Sequence, residues 1–398
     1  MKIAYIGSMC DTFVINELQA HEEAGWQVLP LASSKPCPIE ILSEVMDKWG
    51  KRAVYRSDVG FLVLVGLTLR EMITQPLQFS RLCLWFISLF FHSPVEFAKA
   101  LYELPTACYY ISHCRRFGVR HIHVHFASRS LSLGLILAIL ASLPVSCTVH
   151  AFDIFTRSPR SLRYRLNQCK FIAAVSRFNI EYLEKTCGKS VADLCHLVHC
   201  GIDVDKFKSV PRRPQPGRII CVCRLFAKKG LEFAIRACAK LRDNNVGFLF
   251  EIVGNGPEYN RLKKLIGQLR LEDNVQLLGA KPNDQLAGFF SKACAFLMPC
   301  IKMSDGNMDG IPVAMMEAMA CHVPVVSTSI SGIPELVEND VTGYLVRDKD
   351  EDALAEVLEK LLGNMDKIKQ FGKAGSKRVL KEFSIHKNAA KLRELIES

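Results

Sequence analysis

Between Asp305 and Pro324 the chain reads DGNMDGIPVAMMEAMACHVP, with Asp309 and Glu317 on either side of an expected helix start near Pro312. Proline suits the first turn of a helix. Asp309 therefore falls in the loop before the helix and Glu317 roughly two turns along it, so both can face one cleft. The helix start, at Gly310 and Ile311, offers backbone N–H groups and the positive end of a dipole to an anion. A second set lies in CRLFAKKG (Cys223 to Gly230), directly after an apolar, strand-like run. It puts Arg224 and Lys229 at a strand end, where open α/β sheets bind ligands. A guanidinium and an ammonium there suit a diphosphate, whose charge they neutralise as a bond breaks. A third set, TVHAFDIF (Thr148 to Phe155), places His150 and Asp153 beyond the end of another strand-like run. Taken singly each set has a plain structural reading: helix charges usually face water, and a lone histidine is more often a core residue.

Two patterns that imitate metal sites carry less. His121, His123 and His125 alternate along a strand and share one face, yet no cysteine or carboxylate accompanies them at ligand spacing, so no metal is expected. Asp203-Val204-Asp205 copies a D-x-D metal motif, but it abuts a linker and reads as structural.

These sets are held by alternating elements. Buried strand-like runs (Lys2 to Gly7, Trp26 to Leu31, His121 to His125, Val145 to His150, Phe171 to Val175, Leu194 to His199) are separated by helical stretches, one starting at Asp11 or Thr12. The stretch KFKSVPRRPQPGR (Lys206 to Arg218), with three prolines, marks a linker. Strands resume at Ile219 to Cys223, Phe248 to Val253, Val275 to Leu278, Ala295 to Met298 and Pro324 to Ser327. This pattern predicts two α/β halves with parallel sheets. The expected boundaries are residues 1–205, a linker at 206–217, a second domain at 218–381 and a C-terminal helix at 382–398 that packs back on the first domain. A length of 398 residues with 49% apolar content supplies two cores.

Around 59–110 the alternation breaks into a Phe- and Leu-rich stretch carrying Arg70, Glu71 and Arg81, with no charge-free run long enough to span a bilayer. It reads as an interfacial or acceptor-facing helical pair, the alternative being an ordinary helical insertion buried on the first domain. The formal charge is +11, and between Ile111 and Ser190 basic residues outnumber acidic ones about four to one, with Arg157, Arg160, Arg163 and Arg165 clustered. Such a patch draws anionic surfaces. The N-terminus shows no export signal, and 16 cysteines without a C-x-x-C pair read as reduced core residues. A cytoplasmic protein is expected, peripheral on the inner face of the membrane.

The segments VCRLFAKKG, EIVGNGPEYNRLKKLIGQLRLEDNVQLLG, DGIPVAMMEAMACHVPVVST and GIPELVENDVTGYLV, in this order, resemble glycosyltransferase family 4, whose members have the GT-B fold. HVHFAS, TVHAFDIF, VSRFNIEYL and VHCGIDVDKF resemble its bacterial exopolysaccharide and colanic-acid branch. The likeness runs through nearly the whole chain except about Val59 to Tyr110. It implies two Rossmann-like domains facing a central cleft and a retaining hexosyltransferase with no cofactor and no metal. The donor is a nucleoside-diphosphate sugar. The acceptor is a polyprenyl-diphosphate-linked or other saccharide, and nucleic acid is not a partner. Carried over by position, Arg224 and Lys229 hold the donor diphosphate, Glu317 the ribose hydroxyls, and Asp309 the sugar with the amides of Gly310 and Ile311. His150 lines the sugar, while Asp153 and Thr12 lie on the acceptor side. The family usually has Glu where Asp309 stands. Rival readings are a sugar-nucleotide epimerase or phosphorylase on the same fold, and a non-catalytic binder of membrane or nucleic acid; the acidic and basic site residues, all in place, weigh against the binder.

Overall fold

The computed structural model describes residues 1–33, 35, 44–208 and 211–398, so residues 209–210 of the expected linker lie outside the described part. The chain divides into two compact units, Met1–His199 with Asn388–Ser398, and Cys200–Lys387.

In the first unit the described strands are β1 (Lys2–Ile6), β2 (Gln27–Ala32), β3 (Val54–Tyr55), β4 (His121–His125), β5 (Val145–Val149), β6 (Ile172–Ala174) and β7 (Cys195–Leu197). They form one sheet in the order β3-β2-β1-β4-β5-β6-β7, every neighbouring pair parallel. Helices return the chain between parallel strands and cover both faces, which is why β4 and β5 are buried at every position. The helix Ile385–Glu397 supplies Leu392 and Ile396 to the same core as Tyr5, Leu18, Trp26 and Phe171. Lys170 Nζ donates to the carbonyl of Ile396 at 3.1 Å, and Arg393 to that of Ala20 at 3.2 Å.

The apolar stretch folds as three helices, Phe61–Thr74, Pro76–His92 and Pro94–Phe117. Pro76 and Pro94 open the second and third, Ser93 Oγ caps the third by accepting from Glu96 N at 3.3 Å, and Gly118 ends it in the left-handed region. One side is core: Leu82, Trp85, Phe86 and Leu89 are buried, and Arg115 holds the buried Glu71 through both carboxylate oxygens at 2.9 Å. On the opposite side Phe61, Leu62, Ile73 and Phe91 are each at least 70% exposed. Among the described residues no helix is long and apolar enough to cross a membrane.

One member of the expected basic patch is displaced. Arg160 and Arg163 are exposed, but Arg165 is fully buried, donating to the Ser128 carbonyl at 2.8 Å and facing Glu96 at 3.7 Å. A guanidinium in the interior is tolerated only with such partners. Arg160 instead caps the carbonyl of Phe91 at 3.0 Å and ties the basic segment to the apolar helix end.

The second unit carries β8 (Arg218–Val222), β9 (Leu249–Val253), β10 (Val275–Gly279), β11 (Ala295–Leu297), β12 (Val325–Thr328) and β13 (Gly343–Val346), ordered β10-β9-β8-β11-β12-β13 and again parallel. Phe250, Phe290 and Phe296 are fully buried at its centre. In both sheets the order reverses beside the first strand of the unit, the position at which doubly wound sheets open a crevice at their carboxyl edge.

Candidate functional site

In the second unit the chain leaves β8 at Val222 and runs to Gly230, where the helix Leu231–Asp243 begins. Cys223 N donates to the Val253 carbonyl at 3.0 Å and Leu225 N to that of Asn255 at 2.9 Å, which holds this loop against the loop after β9. The approach demands glycine at 254, where φ is +146° and a Cβ would stand 1.8 Å from the Cys223 carbonyl oxygen. Gly230, at φ +66°, meets the Pro299 carbonyl oxygen in the same way at 1.9 Å, and Ile301 N donates to the Lys228 carbonyl at 2.9 Å. The loop carrying Arg224, Lys228 and Lys229 is thus fixed from two sides. Gly230→Ala is expected to cost more than about 1 kcal/mol, because the backbone conformation and the contact both reject a side chain. A urea midpoint equal to that of the wild type would contradict the clamp.

Fixing the loop aims two ammonium groups at one carboxylate. Lys229 Nζ stands 2.9 Å from Asp309 Oδ2 and Lys228 Nζ 3.1 Å from Oδ1, while the Cys300 thiol donates to Oδ2 at 3.5 Å. Burial alone would raise the Asp309 carboxyl. Lys229 and then Lys228 overcome that and hold it below the usual carboxylate range. Burial likewise works against the Lys229 charge, and Asp309 reverses the balance, keeping its ammonium above the ordinary range. The sequence names Lys229 alone; Lys228 joins it only through the fold, which turns both ammonium groups onto Asp309. Arg224 is exposed, its guanidinium 5.7 Å from the Phe226 ring centroid.

Glu317 has a different setting. It is buried on the helix Val313–Ala320, which starts just after Gly310, Ile311 and Pro312. Asn283 Nδ2 lies 3.5 Å from its Oε1, and Lys206 Nζ donates to Asn283 Oδ1 at 2.6 Å. Burial pushes the Glu317 carboxyl up to about 7, against smaller opposing pulls from Asn283 and Lys206. Asn283 and Lys206 carried no signal in the sequence. Asp203, the first residue of the D-x-D imitation, accepts from the backbone N–H groups of Asp205 (3.1 Å) and Lys206 (3.4 Å) and so starts the helix Val204–Lys208.

In the first unit His150 follows β5. Its Nε2 is 3.0 Å from His125 Nδ1, and its ring centroid lies 4.4 Å from that of Phe126 and 4.7 Å from that of Phe13. Burial, with His125 second, pushes its pKa well below the ordinary imidazole range, so the ring is neutral. Thr12, the first residue of the helix Thr12–Glu23, is partly buried beside Phe13. The acceptor-side role expected of Asp153 does not fit its setting. The residue is fully buried, its Oδ1 accepting from His150 N (3.1 Å) and Ala151 N (2.8 Å) and its Oδ2 from Ala127 N (2.8 Å). Its carboxylate is occupied in shaping the loop that carries His150, because a buried carboxylate needs N–H donors in place of water.

The expectation that no carboxylate accompanies the strand histidines is corrected as well. Glu17, on the helix Thr12–Glu23, brings Oε1 to 3.4 Å from His125 Nε2 and 3.9 Å from His123 Nε2.

Residues 203–378 match the family described as Glycosyl transferases group 1, and residues 74–206 match Glycosyltransferase Family 4. Over 160 residues the chain is 48% identical to WcaL of Escherichia coli (strain K12), a glycosyltransferase named for colanic acid biosynthesis, covering 40% of this chain and 39% of that one. Against the amylovoran biosynthesis glycosyltransferase AmsK of Erwinia amylovora it is 39% identical over 208 residues, 52% of this chain and 51% of AmsK. The chain thus spans about two-fifths to half the length of these curated relatives. Among solved structures, Anabaena HepE in complex with UDP-glucose aligns over 100% of this chain and 99% of its own with a TM-score of 0.72 at 15% identity. The sucrose-phosphate synthase of Thermosynechococcus elongatus aligns over 100% and 98% with a TM-score of 0.75 at 18% identity. At such identities the likeness carries the fold, that of the GT-B class. With two adjoining matches to glycosyltransferase families running from residue 74 to residue 378, the chain belongs to the group 1, family 4 glycosyltransferases.

Proposed function

We propose that this chain transfers a hexosyl group from a nucleoside-diphosphate sugar to a saccharide, with retention of configuration, in the assembly of an exopolysaccharide. The supporting observation is the clamped loop in which Lys228 and Lys229 bridge Asp309. Together with Arg224 these cations exceed the one carboxylate by two charges, a surplus that suits a diphosphate. Charge grows on that diphosphate as the glycosidic bond breaks, and prearranged ammonium groups stabilise it without reorganising. An oxygen of the departing diphosphate takes the acceptor proton in a front-face transfer, so positioning replaces a protein base. In this reading Glu317 accepts from the ribose hydroxyls, Asp309 with the Gly310 and Ile311 amides meets the sugar, and His150 stands on the acceptor-binding unit. Incubating the protein with radiolabelled UDP- and GDP-hexoses and an extract of polyprenyl-linked oligosaccharides is expected to move label into lipid. Donor conversion without acceptor would point to an epimerase instead, and no turnover of any donor would overturn the reading.

A lipid-borne acceptor calls for a membrane surface. The exposed side of the Phe61–Thr74 and Pro76–His92 helices, with Arg70, Arg81 and Arg160 exposed nearby, pairs apolar area with positive charge. Each basic residue near an anionic surface adds about 1 kcal/mol, and salt screens it. The chain is expected to float with anionic vesicles at low salt and to be released at high salt. Leu62→Ser with Phe91→Ser should reduce flotation; equal recovery with and without vesicles would contradict the surface.

A further inference from the structure

Beneath His150 the first unit encloses a group of side chains that the transfer reaction does not use. His123 and His125 alternate on β4 and so project from one face, the face covered by the helix Thr12–Glu23. From that helix come Glu17 and, one turn on, His21. All four are buried, with Glu17 the most exposed at 7%. Donor atoms of Glu17, His123 and His125 lie within 4.8 Å of one another. His21 Nε2 stands 4.0 Å from the same Glu17 oxygen.

Two features mark the group as more than a packed core. Glu17 Oε1 and both ring nitrogens of His21 are buried without a hydrogen-bond partner, a costly arrangement for a carboxylate and an imidazole taken out of water. Each ring nitrogen of the other two has a polar neighbour: His123 Nδ1 has Ser146 Oγ at 2.8 Å and its Nε2 has Thr148 Oγ1 at 2.9 Å, while His125 Nδ1 has His150 Nε2 at 3.0 Å and its Nε2 has Tyr5 OH at 3.3 Å. The Nδ1 contacts form the kind of supporting shell that orients metal-ligating imidazoles, and an ion on the Nε2 atoms takes the place of the Thr148 and Tyr5 hydroxyl contacts.

We propose that Glu17, His123 and His125 hold one buried zinc-class divalent ion that ties the Thr12–Glu23 helix to the sheet. A tetrahedral ion with bonds of about 2.0 to 2.1 Å spaces its ligand atoms about 3.4 Å apart, the separation of Glu17 Oε1 from His125 Nε2. His123 Nε2, 3.9 Å from the same oxygen, closes by about half an ångström. Two imidazoles and a carboxylate select zinc or cobalt over magnesium or calcium. With His125 Nε2 on the metal, its Nδ1 carries the proton and donates to His150 Nε2, which sets His150 as the Nδ1–H tautomer. The ion lies in the acceptor-binding unit and is separate from any role at the donor diphosphate.

Full-length protein without a histidine tag is the material for the test. Elemental analysis is expected to find about one zinc per folded chain, and protein produced with cobalt in place of zinc should show the intense visible bands of four-coordinate Co(II). Glu17→Gln and His125→Gln should lower metal content about tenfold, whereas His196→Ala, an exposed histidine, should not. Folded wild-type protein with less than about one-tenth of an equivalent of metal and no cobalt bands overturns the site, whether or not the variants fold. Full metal content in folded Glu17→Gln and His125→Gln overturns it too.

Discussion

Glu317→Ala is expected to weaken nucleoside diphosphate binding tenfold or more and to raise the donor KM in proportion, while turnover at saturation changes little. One or two hydrogen bonds to a charged acceptor are lost, each worth about 1.5 to 3 kcal/mol, and the ribose is remote from the reacting carbon. The high pKa of this carboxyl adds a second signature. At about 7 in the folded chain and 4.5 in the unfolded one, Glu317 binds its proton more tightly when folded. Its contribution to stability is therefore fully present below about pH 4.5 and fades as the pH rises through about 7, by about 3 kcal/mol in all. Ribose hydroxyls need the ionised carboxylate as acceptor, so nucleotide affinity should move the opposite way, tightening from pH 6 to 8. In Glu317→Gln this part of both trends should vanish. Calorimetry across that range, run beside urea melts, checks the pair; a Glu317→Ala protein that is folded and binds nucleotide as the wild type does would remove the residue from the site.

Asp309→Ala is expected to lower turnover about a hundredfold, the scale of losing one prearranged electrostatic contact in a transition state. Nucleoside diphosphate affinity should stay level or rise, since Lys228 and Lys229 are then unopposed and free to meet phosphate. Stability should fall, because removing one partner of a buried pair leaves charge without compensation, typically at 3 to 5 kcal/mol. Initial rates and nucleotide titration on the same preparation separate the effects. A loss of nucleotide affinity with turnover intact would reverse the assignments of Asp309 and Glu317.

Most strands could be read because they are buried on both faces and therefore written as short apolar runs, as in Lys2–Ile6 and Val145–Val149. Val54–Tyr55 escaped, since two residues show no period, and Gly343–Val346 sits inside a segment rich in turn residues. At the site, Lys229, Asp309 and Glu317 each stood out by type and place, but the pairing of Lys229 with Asp309 joins loops far apart in sequence. Arg165 looked like its neighbours in the basic run. Only the position of Glu96 and the Ser128 carbonyl explains why it turns inward. Glu17 was invisible for a like reason: on its own helix it is one acid among polar residues, and the histidines that surround it belong to a strand more than a hundred positions away.

Leu392 and Ile396, with the bonds from Lys170 and Arg393, complete the first unit's core from the far end of the chain. During synthesis residues 1–199 are made well before the helix Ile385–Glu397, so the apolar surface formed by Leu18, Trp26 and Phe171 stays uncovered until that helix has cleared the ribosome. The first unit is consequently completed only after the second has been made, so a chain cut short before residue 385 leaves its earlier-made unit showing a greasy face to chaperones and proteases.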